Sequence, residues 1–150
     1  MTGVQTCALP ILSAVRIIAA IAARNDWELE QKDINGAYLN AQLWDTIYMC
    51  QPKGYETPRK EHHVCHLNRA IYGLKQSGRE WYETFSGIMY KFGFTCCEAE
   101  HVVFHQYTNP NALIVAVDFD NLTMNGNSTD LIHKFKDELC TTFKIKDLGD

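Results

Sequence analysis

Acidic and amide side chains interrupt one of the most apolar stretches of the chain. Leu113–Val117 is a β-branched apolar run with the length of a buried strand, and the polar tetrapeptide 118–121, DFDN, follows it directly. Carboxylates beside a buried strand are costly unless a partner neutralises them, and a divalent cation is the obvious partner. We therefore interpret Ala112–Met124 as a β-hairpin whose turn carries metal ligands.

A second segment ends in a carboxylate. Residues 27–34, WELEQKDI, alternate as a strand does, and Asp33 lies where this strand ends and the chain turns. If the strand is a neighbour of the hairpin, Asp33 and Asp120 converge. Such hard oxygen ligands suit Mg²⁺, with Mn²⁺ as an alternative, and two divalent ions roughly 4 Å apart are a common device for nucleotidyl transfer.

Hydrophobic periodicity predicts the elements that must position these carboxylates. The predicted helices are Leu12–Arg24, Arg79–Phe92 and Thr129–Thr142, and the predicted strands are residues 27–34, 47–49, 64–67, 102–107 and the two arms of the hairpin. This order favours an α+β domain with an antiparallel sheet and helices packed mainly on one face.

The totals describe an ordinary globular domain of 150 residues, 46% hydrophobic and 21% charged, which is long enough for a real core. No apolar run is long enough to span a membrane. Six cysteines without regular spacing indicate free thiols in a reducing compartment. The net charge of -4 counts against autonomous nucleic-acid binding, which usually needs a basic surface.

The first residues look foreign to the rest. Gly3–Ile11 reads GVQTCALPI, which is what a sequencing-library adapter encodes in one reading frame. We therefore expect residues 1–11 to be an artefact, exclude them from fold reasoning, and treat residues 12–150 as a partial domain. A native disordered N-terminus is the alternative.

Five motifs in a fixed order make the chain resemble the reverse transcriptase domain of copia-type LTR retrotransposons, from Leu12 to the end. The motifs are DINGAYLN at 33–40, YMCQPKGY at 48–55, AIYGLKQSGREWY at 70–82, the segment from Gly93 to Phe104, and DLG at 147–149. The resemblance implies a polymerase palm with incomplete fingers and thumb. It also implies an RNA template, a DNA primer, deoxynucleoside triphosphates and a surrounding retroelement polyprotein as partners.

The resemblance assigns roles to individual residues. Asp33 and Asp120 match the family's metal-binding aspartates, and the backbone carbonyl of Ile34 is expected to face the metal. Tyr38 matches the aromatic residue that packs beneath the incoming sugar and excludes a 2′-hydroxyl, although ordinary core packing also explains a tyrosine there. The residues expected to line the nucleotide and template side are Tyr72, Gly73, Lys75 and Gln76.

Departures from the family pattern fall on the site itself. Asn121 replaces the second aspartate of the pair, and an amide brings no negative charge to a metal site. Asp118 adds a carboxylate two residues before Asp120, on the same face if strand alternation holds, which offers partial compensation. Decay of the active site is the interpretation that we prefer. Lys32 stands where the family is usually apolar, and Glu100 where aspartate is usual.

Two clusters of histidine and cysteine are weak zinc candidates. They are His62, His63, Cys65 and His66, and the four-residue-spaced Cys97, His101 and His105. Neither has the paired spacing of a zinc site, so we do not expect zinc.

The leading hypothesis is thus a fragment of an RNA-directed DNA polymerase, impaired or inactive because of Asn121. The alternatives are a non-catalytic palm-like remnant and an RNA-binding α+β module, against which the acidic charge argues. The resemblance implies a retroelement particle in the cytoplasm, with the nucleus as an alternative location, and no membrane partner.

Overall fold

The computed structural model describes residues 8–147, with side chains for residues 13–146. Most of the stretch expected to be an artefact, residues 1–7, lies outside the described residues, as do Leu148 and Gly149 of the DLG motif.

Three helices, a single 3-10 turn and eight strands make up the described chain. The helices are α1 (Ala8–Asn25), α2 (Ser77–Lys91) and α3 (Thr129–Thr142), and the 3-10 turn spans Ala37–Asn40. The strands are β1 (Glu28–Ile34), β2 (Gln42–Cys50), β3 (Val64–Arg69), β4 (Thr95–Cys96), β5 (Val103–Thr108), β6 (Asn111–Asp118), β7 (Asn121–Gly126) and β8 (Ile145–Asp147).

The chain divides into two units, residues 1–35 with 86–150, and residues 36–85. The first unit holds a six-stranded antiparallel sheet in the order β4-β5-β6-β7-β1-β8, and the second holds the two-stranded ribbon β2-β3. Helix α2 begins in the second unit and ends in the first. The predicted α+β class with an antiparallel sheet is confirmed, and the arrangement is that of a partial palm.

Helix α1 covers one face of the large sheet. Ile18 packs with Ile114 and Ala116 of β6, and Trp27 packs against the same cluster. Ile114 and Ala116 alternate with the residues of β6 that face the other side, so this cluster defines the α1 face of the sheet. Among the described residues, no helix is both long enough and apolar enough to cross a membrane.

Helix α3 and the end of α2 cover the opposite face. The ring of Phe135 on α3 lies 4.9 Å from that of Phe94 and 6.3 Å from that of Phe92, between centroids. Ser128 caps α3 by accepting a hydrogen bond from the Leu131 amide at 3.3 Å. Gly126 of β7 faces α3 so closely that a Cβ there would lie 3.4 Å from Ile132. Two of the three helices therefore share this face, as predicted.

The sequence patterns missed the shortest elements. Strands β4 and β8 have two and three residues, and the 3-10 turn has four, which is too short for a hydrophobic period to show. Strand β2 begins at Gln42, earlier than predicted. Its first half escaped the prediction because the register shift between Gln42 and Ile47 breaks the alternation of side chains. Of these elements, β8 matters for function because it adds a strand beside β1.

The unusual Lys32 is buried under α3, with 3% of its surface exposed. Its Nζ lies 2.8 Å from Oε2 of Glu30, and Nζ of Lys136 on α3 lies 2.8 Å from the same oxygen. Burial alone raises the pKa of Glu30, but the hydrogen bonds and charges of Lys136 and Lys32 outweigh it and hold the pKa below its ordinary value. The carboxylate of Glu30 thus neutralises the charge of a buried lysine.

We expect Glu30→Gln to lower the free energy of unfolding by roughly 1–3 kcal/mol at pH 7, because two ammonium groups lose their counter-charge. Glu28→Gln, on the same strand but exposed, is the matched control and should change little. Because the folded-state pKa of Glu30 is lowered, its contribution is present above the ordinary carboxyl pKa and disappears as the pH falls through the folded-state value. Urea unfolding at pH 7 and at pH 3 measures both effects, and equal losses in the two variants at pH 7 would contradict this account.

Candidate active site

A tight hairpin carries the acidic tetrapeptide. Strand β6 ends at Asp118, β7 begins at Asn121, and these two residues are paired directly across the hairpin. Phe119 and Asp120 form the turn, and Phe119 has the left-handed φ of 53°. A residue with a side chain costs about 1–2 kcal/mol in that conformation, so the sharp turn is held against a local strain.

Strand β1 lies beside β7 and brings Asp33 to this turn. Asp33 is the direct antiparallel partner of Asn121. The Ile34 amide donates a hydrogen bond of 2.7 Å to the Asp120 carbonyl oxygen, which fixes the turn on the end of β1. Directly opposed residues have their Cβ atoms about 4.5–5.5 Å apart on the same face of the sheet. The neighbouring strands that the shared site requires are therefore present.

A row of four polar residues crosses four strands at this end of the sheet. Asp118, Asn121 and Asp33 follow one another through the registers of β6, β7 and β1, and Lys146 of β8 pairs with Asp33 on its other side. All four side chains stand on the α1 face, since direct partners share a face. Lys146 was not predicted, because β8 has no detectable period, and it places a cation next to the expected metal-binding aspartate.

Hydrogen bonding and burial set the electrostatics of the turn. Nδ2 of Asn121 donates to Oδ1 of Asp120 at 3.2 Å. Burial raises the pKa of Asp118, and the neighbouring charge of Asp120 raises it further. Within the described part of the chain, the buried Oδ1 of Asp118 has no hydrogen-bond partner. Asp118 is therefore a carboxyl group that burial and a like charge both disfavour in its ionised form.

The structure changes one expectation about Asp118. Strand alternation was expected to put Asp118 and Asp120 on one face, but the strand ends at Asp118 and Asp120 belongs to the turn, so alternation does not fix the face of Asp120. The residue that shares a face with Asp118 is Asn121. The two carboxyl groups are nevertheless close enough for the charge of Asp120 to act on Asp118.

The donors at this turn suit a divalent metal in kind. Asp33, Asp120 and the amide oxygen of Asn121 are hard oxygen ligands, and the partnerless oxygen of Asp118 adds to them. In residues 13–146, however, no three acidic, histidine or cysteine side chains are gathered closely enough to hold a metal on their own. Mg²⁺ commonly takes one or two protein carboxylates and completes its shell with water and substrate phosphates, so the residues fit that mode of binding.

The other candidate residues belong to the second unit. Tyr38 stands in the 3-10 turn, and its ring contacts that of Tyr72 with the centroids 4.6 Å apart. Gly73 has a left-handed φ of 95°, and Lys75 is exposed. Gln76 accepts a hydrogen bond at its carbonyl from the Glu80 amide at the start of α2. The structure thus brings Tyr38 and Tyr72 together, and the roles of all five residues stay predictions.

The histidine clusters are engaged with other rings. The rings of His62 and His63 lie 4.6 Å apart, and His66 lies 5.2 Å from Tyr48, its cross-strand partner. His105 lies 5.1 Å from Tyr107.

The similarity of this chain to known proteins agrees with its sequence motifs. Residues 5–150 match the family described as Reverse transcriptase (RNA-dependent DNA polymerase). The Retrovirus-related Pol polyprotein from transposon TNT 1-94 of Nicotiana tabacum is 37% identical over 139 residues, which are 92% of this chain and 10% of that protein.

Two relatives from Arabidopsis thaliana give the same picture. The Retrovirus-related Pol polyproteins from transposons RE1 and RE2 are each 31% identical, over 135 and 138 residues. These are 90% and 92% of this chain, and 9% and 10% of the relatives. The chain spans about a tenth of the length of these curated relatives, and the similarity to plant copia-type elements agrees with the five motifs.

Proposed function

The chain belongs to the reverse transcriptase family, and from this membership we propose that it is part of an RNA-directed DNA polymerase within a retrotransposon Pol polyprotein. The reaction would be template-directed nucleotidyl transfer from a deoxynucleoside triphosphate to a DNA primer on an RNA template. The observation that carries the proposal is the register of β1 and β7, which pairs Asp33 with Asn121 and puts Asp120 next to it. The retroelement particle in the cytoplasm is the proposed location.

We propose Mg²⁺, or Mn²⁺ in its place, as the cofactor, held by Asp33, Asp120 and the Ile34 carbonyl. When bound, a pair of such ions lowers the pKa of the attacking hydroxyl and stabilises the charge of an in-line displacement. The protein's part is to supply negative charge at a fixed place. The β1–β7 ladder and the bond from the Ile34 amide to the Asp120 carbonyl do this.

In the second unit, the ring of Tyr38 would lie beneath the sugar and exclude a 2′-hydroxyl by its volume. Lys75, which is exposed, would contact phosphate or template. The nucleotide and template side of the site would be completed by Tyr72, Gly73 and Gln76. The left-handed φ of Gly73 permits a close approach to the backbone there.

Asn121 weakens this machinery. Its amide supports Asp120 by a hydrogen bond but contributes no charge, so the chain is proposed to be an impaired polymerase. A remnant without any chemistry is the second candidate, and the same substitution favours it.

Primer extension with an RNA template tests the proposal. We expect slow addition of deoxynucleotides in Mn²⁺ or Mg²⁺, because two carboxylates alone give weak metal binding. We expect no addition in excess chelator, which removes the metal. The test uses the Pol polyprotein that carries this chain, because the chain spans about a tenth of the length of its relatives. If neither that polyprotein nor its Asn121→Asp variant extends the primer, the chain is a remnant and the proposed function is wrong.

A further inference from the structure

The turn that carries Tyr38 is closed by its own backbone. Gly36 has a left-handed φ of 60°, which lets the chain bend sharply after β1. The Leu39 amide donates to the Gly36 carbonyl at 2.8 Å, and the Ala41 amide donates to the Tyr38 carbonyl at 3.0 Å. A four-residue 3-10 turn with so few bonds of its own depends on outside support for a fixed geometry.

Arg69, at the end of β3, supplies part of that support. Its Nη1 donates to the carbonyl oxygens of Asn40 at 3.1 Å and Leu39 at 3.5 Å, which the short turn leaves without helical partners. The Asn40 side chain closes the turn from the other end by donating to the Gly36 carbonyl at 3.1 Å. Arg69 therefore ties the turn to the ribbon.

Tyr72 supports the ring itself. The two tyrosine rings lie 4.6 Å apart with a tilt of 48° between their planes. Tyr72 is 56% exposed, so it is not a core residue, and its ring packs against that of Tyr38. A Cβ at Gly78 would lie 3.9 Å from the Tyr38 hydroxyl, which places the far end of that ring beside the start of α2.

The segment that carries Tyr72 is itself anchored. The hydroxyl of Ser77, which is fully buried, donates to the Ile71 carbonyl. The Ala70 amide donates to the Ala41 carbonyl at 3.0 Å, so this segment and the turn are also joined through their backbones. These bonds hold the backbone next to Tyr72 in place relative to the turn.

We propose that Tyr72 and Arg69 are positioning residues that hold Tyr38 in the orientation that separates deoxyribose from ribose. The proposal rests on the proposed function, because it gives Tyr38 the sugar-contacting role. It assigns Tyr72 an action through Tyr38 instead of direct contact with the nucleotide, and it adds Arg69, which lies outside the motifs quoted for nucleotide binding. Discrimination between deoxyribose and ribose then depends on Tyr72 and Arg69 as well as on the volume of the Tyr38 ring.

Two readouts on the 150-residue chain with primer–template test this, and neither needs turnover. The first is amide hydrogen exchange at Leu39 and Ala41, and the second is the ratio of dATP to ATP affinity. We expect Tyr72→Ala to speed exchange at both amides and to lower the affinity ratio, each by about two- to tenfold, the range for loss of one aromatic pair. Tyr72→Phe, which keeps the ring, should restore both.

Arg69→Ala should have the same effects. Arg69→Lys should recover only part, because both bonds come from Nη1, whose hydrogens the planar guanidinium holds in fixed directions, whereas a lysine ammonium is not preorganised in this way. Tyr55→Ala, which removes a tyrosine that is 84% exposed, is the matched control and should change neither readout.

Each contrary result has a distinct meaning. A changed affinity ratio with unchanged exchange means that Tyr72 contacts the nucleotide directly, and it overturns the proposal. Faster exchange with an unchanged ratio also overturns it, because the support then has no part in sugar selection. If the parent chain binds neither nucleotide, the proposed function fails, and unchanged exchange in Tyr72→Ala would separately refute the support of the turn.

Discussion

Asn121→Asp is expected to raise the rate of primer extension by about 10²- to 10³-fold, the range found for restoring one preorganised electrostatic group at a reaction centre. Asn121 is the direct partner of Asp33 and the chain neighbour of Asp120, so a carboxylate there adds charge where the cations are expected. The amide now donates to Oδ1 of Asp120, which occupies an oxygen that a metal would use. Aspartate removes this donor and adds an acceptor.

Asn68→Asp is the control for this comparison. It adds the same charge to an exposed residue of β3, in the second unit, and should leave the rate unchanged. Single-turnover extension at saturating primer–template measures the chemical step. Equal rates for the parent chain and Asn121→Asp would show that Asn121 is not a defect.

Asp33→Asn, made in the Asn121→Asp background, is expected to lower extension by about 10³-fold, because several kcal/mol of transition-state charge stabilisation depend on the metals. The substitution keeps the shape of the side chain and leaves the cation of Lys146 opposite an uncharged amide. Asp137→Asn, which neutralises an exposed aspartate of α3, is the matched control. If Asp33→Asn retained its activity, Asp33 of β1 would not be part of the active site.

Both predictions start from features that the sequence already showed. The run Leu113–Val117 is apolar throughout because β6 is covered on both faces, and such a run is readable without a partner strand. Helix α3 has the predicted bounds, Thr129–Thr142, because Ser128 is a local cap with a local partner. The convergence of Asp33 with Asp120 in the hairpin turn requires their strands to be neighbours, and β1 and β7 are paired.

What the sequence did not show depends on contacts between distant residues. Glu30 and Lys136 are far apart in the chain, so nothing local revealed that a second lysine shares the carboxylate that neutralises the buried Lys32. Lys146 enters the polar row only through the pairing of a three-residue strand. The contact of Tyr72 with Tyr38 likewise follows from how the 3-10 turn and the start of α2 are placed, which periodicity does not encode.

Binding of Mn²⁺ to the chain, followed by electron paramagnetic resonance, tests the central claim most directly. The claim is that Asp33, near the end of β1, and Asp120, in the turn between β6 and β7, hold a divalent cation together. We predict that Asp33→Asn and Asp120→Asn each weaken Mn²⁺ binding by at least about tenfold, since either change removes one of two charged ligands. Asn121→Asp should strengthen it, and Asp137→Asn should have no effect. Equal Mn²⁺ affinity in the parent chain, Asp33→Asn and Asp120→Asn would contradict the account.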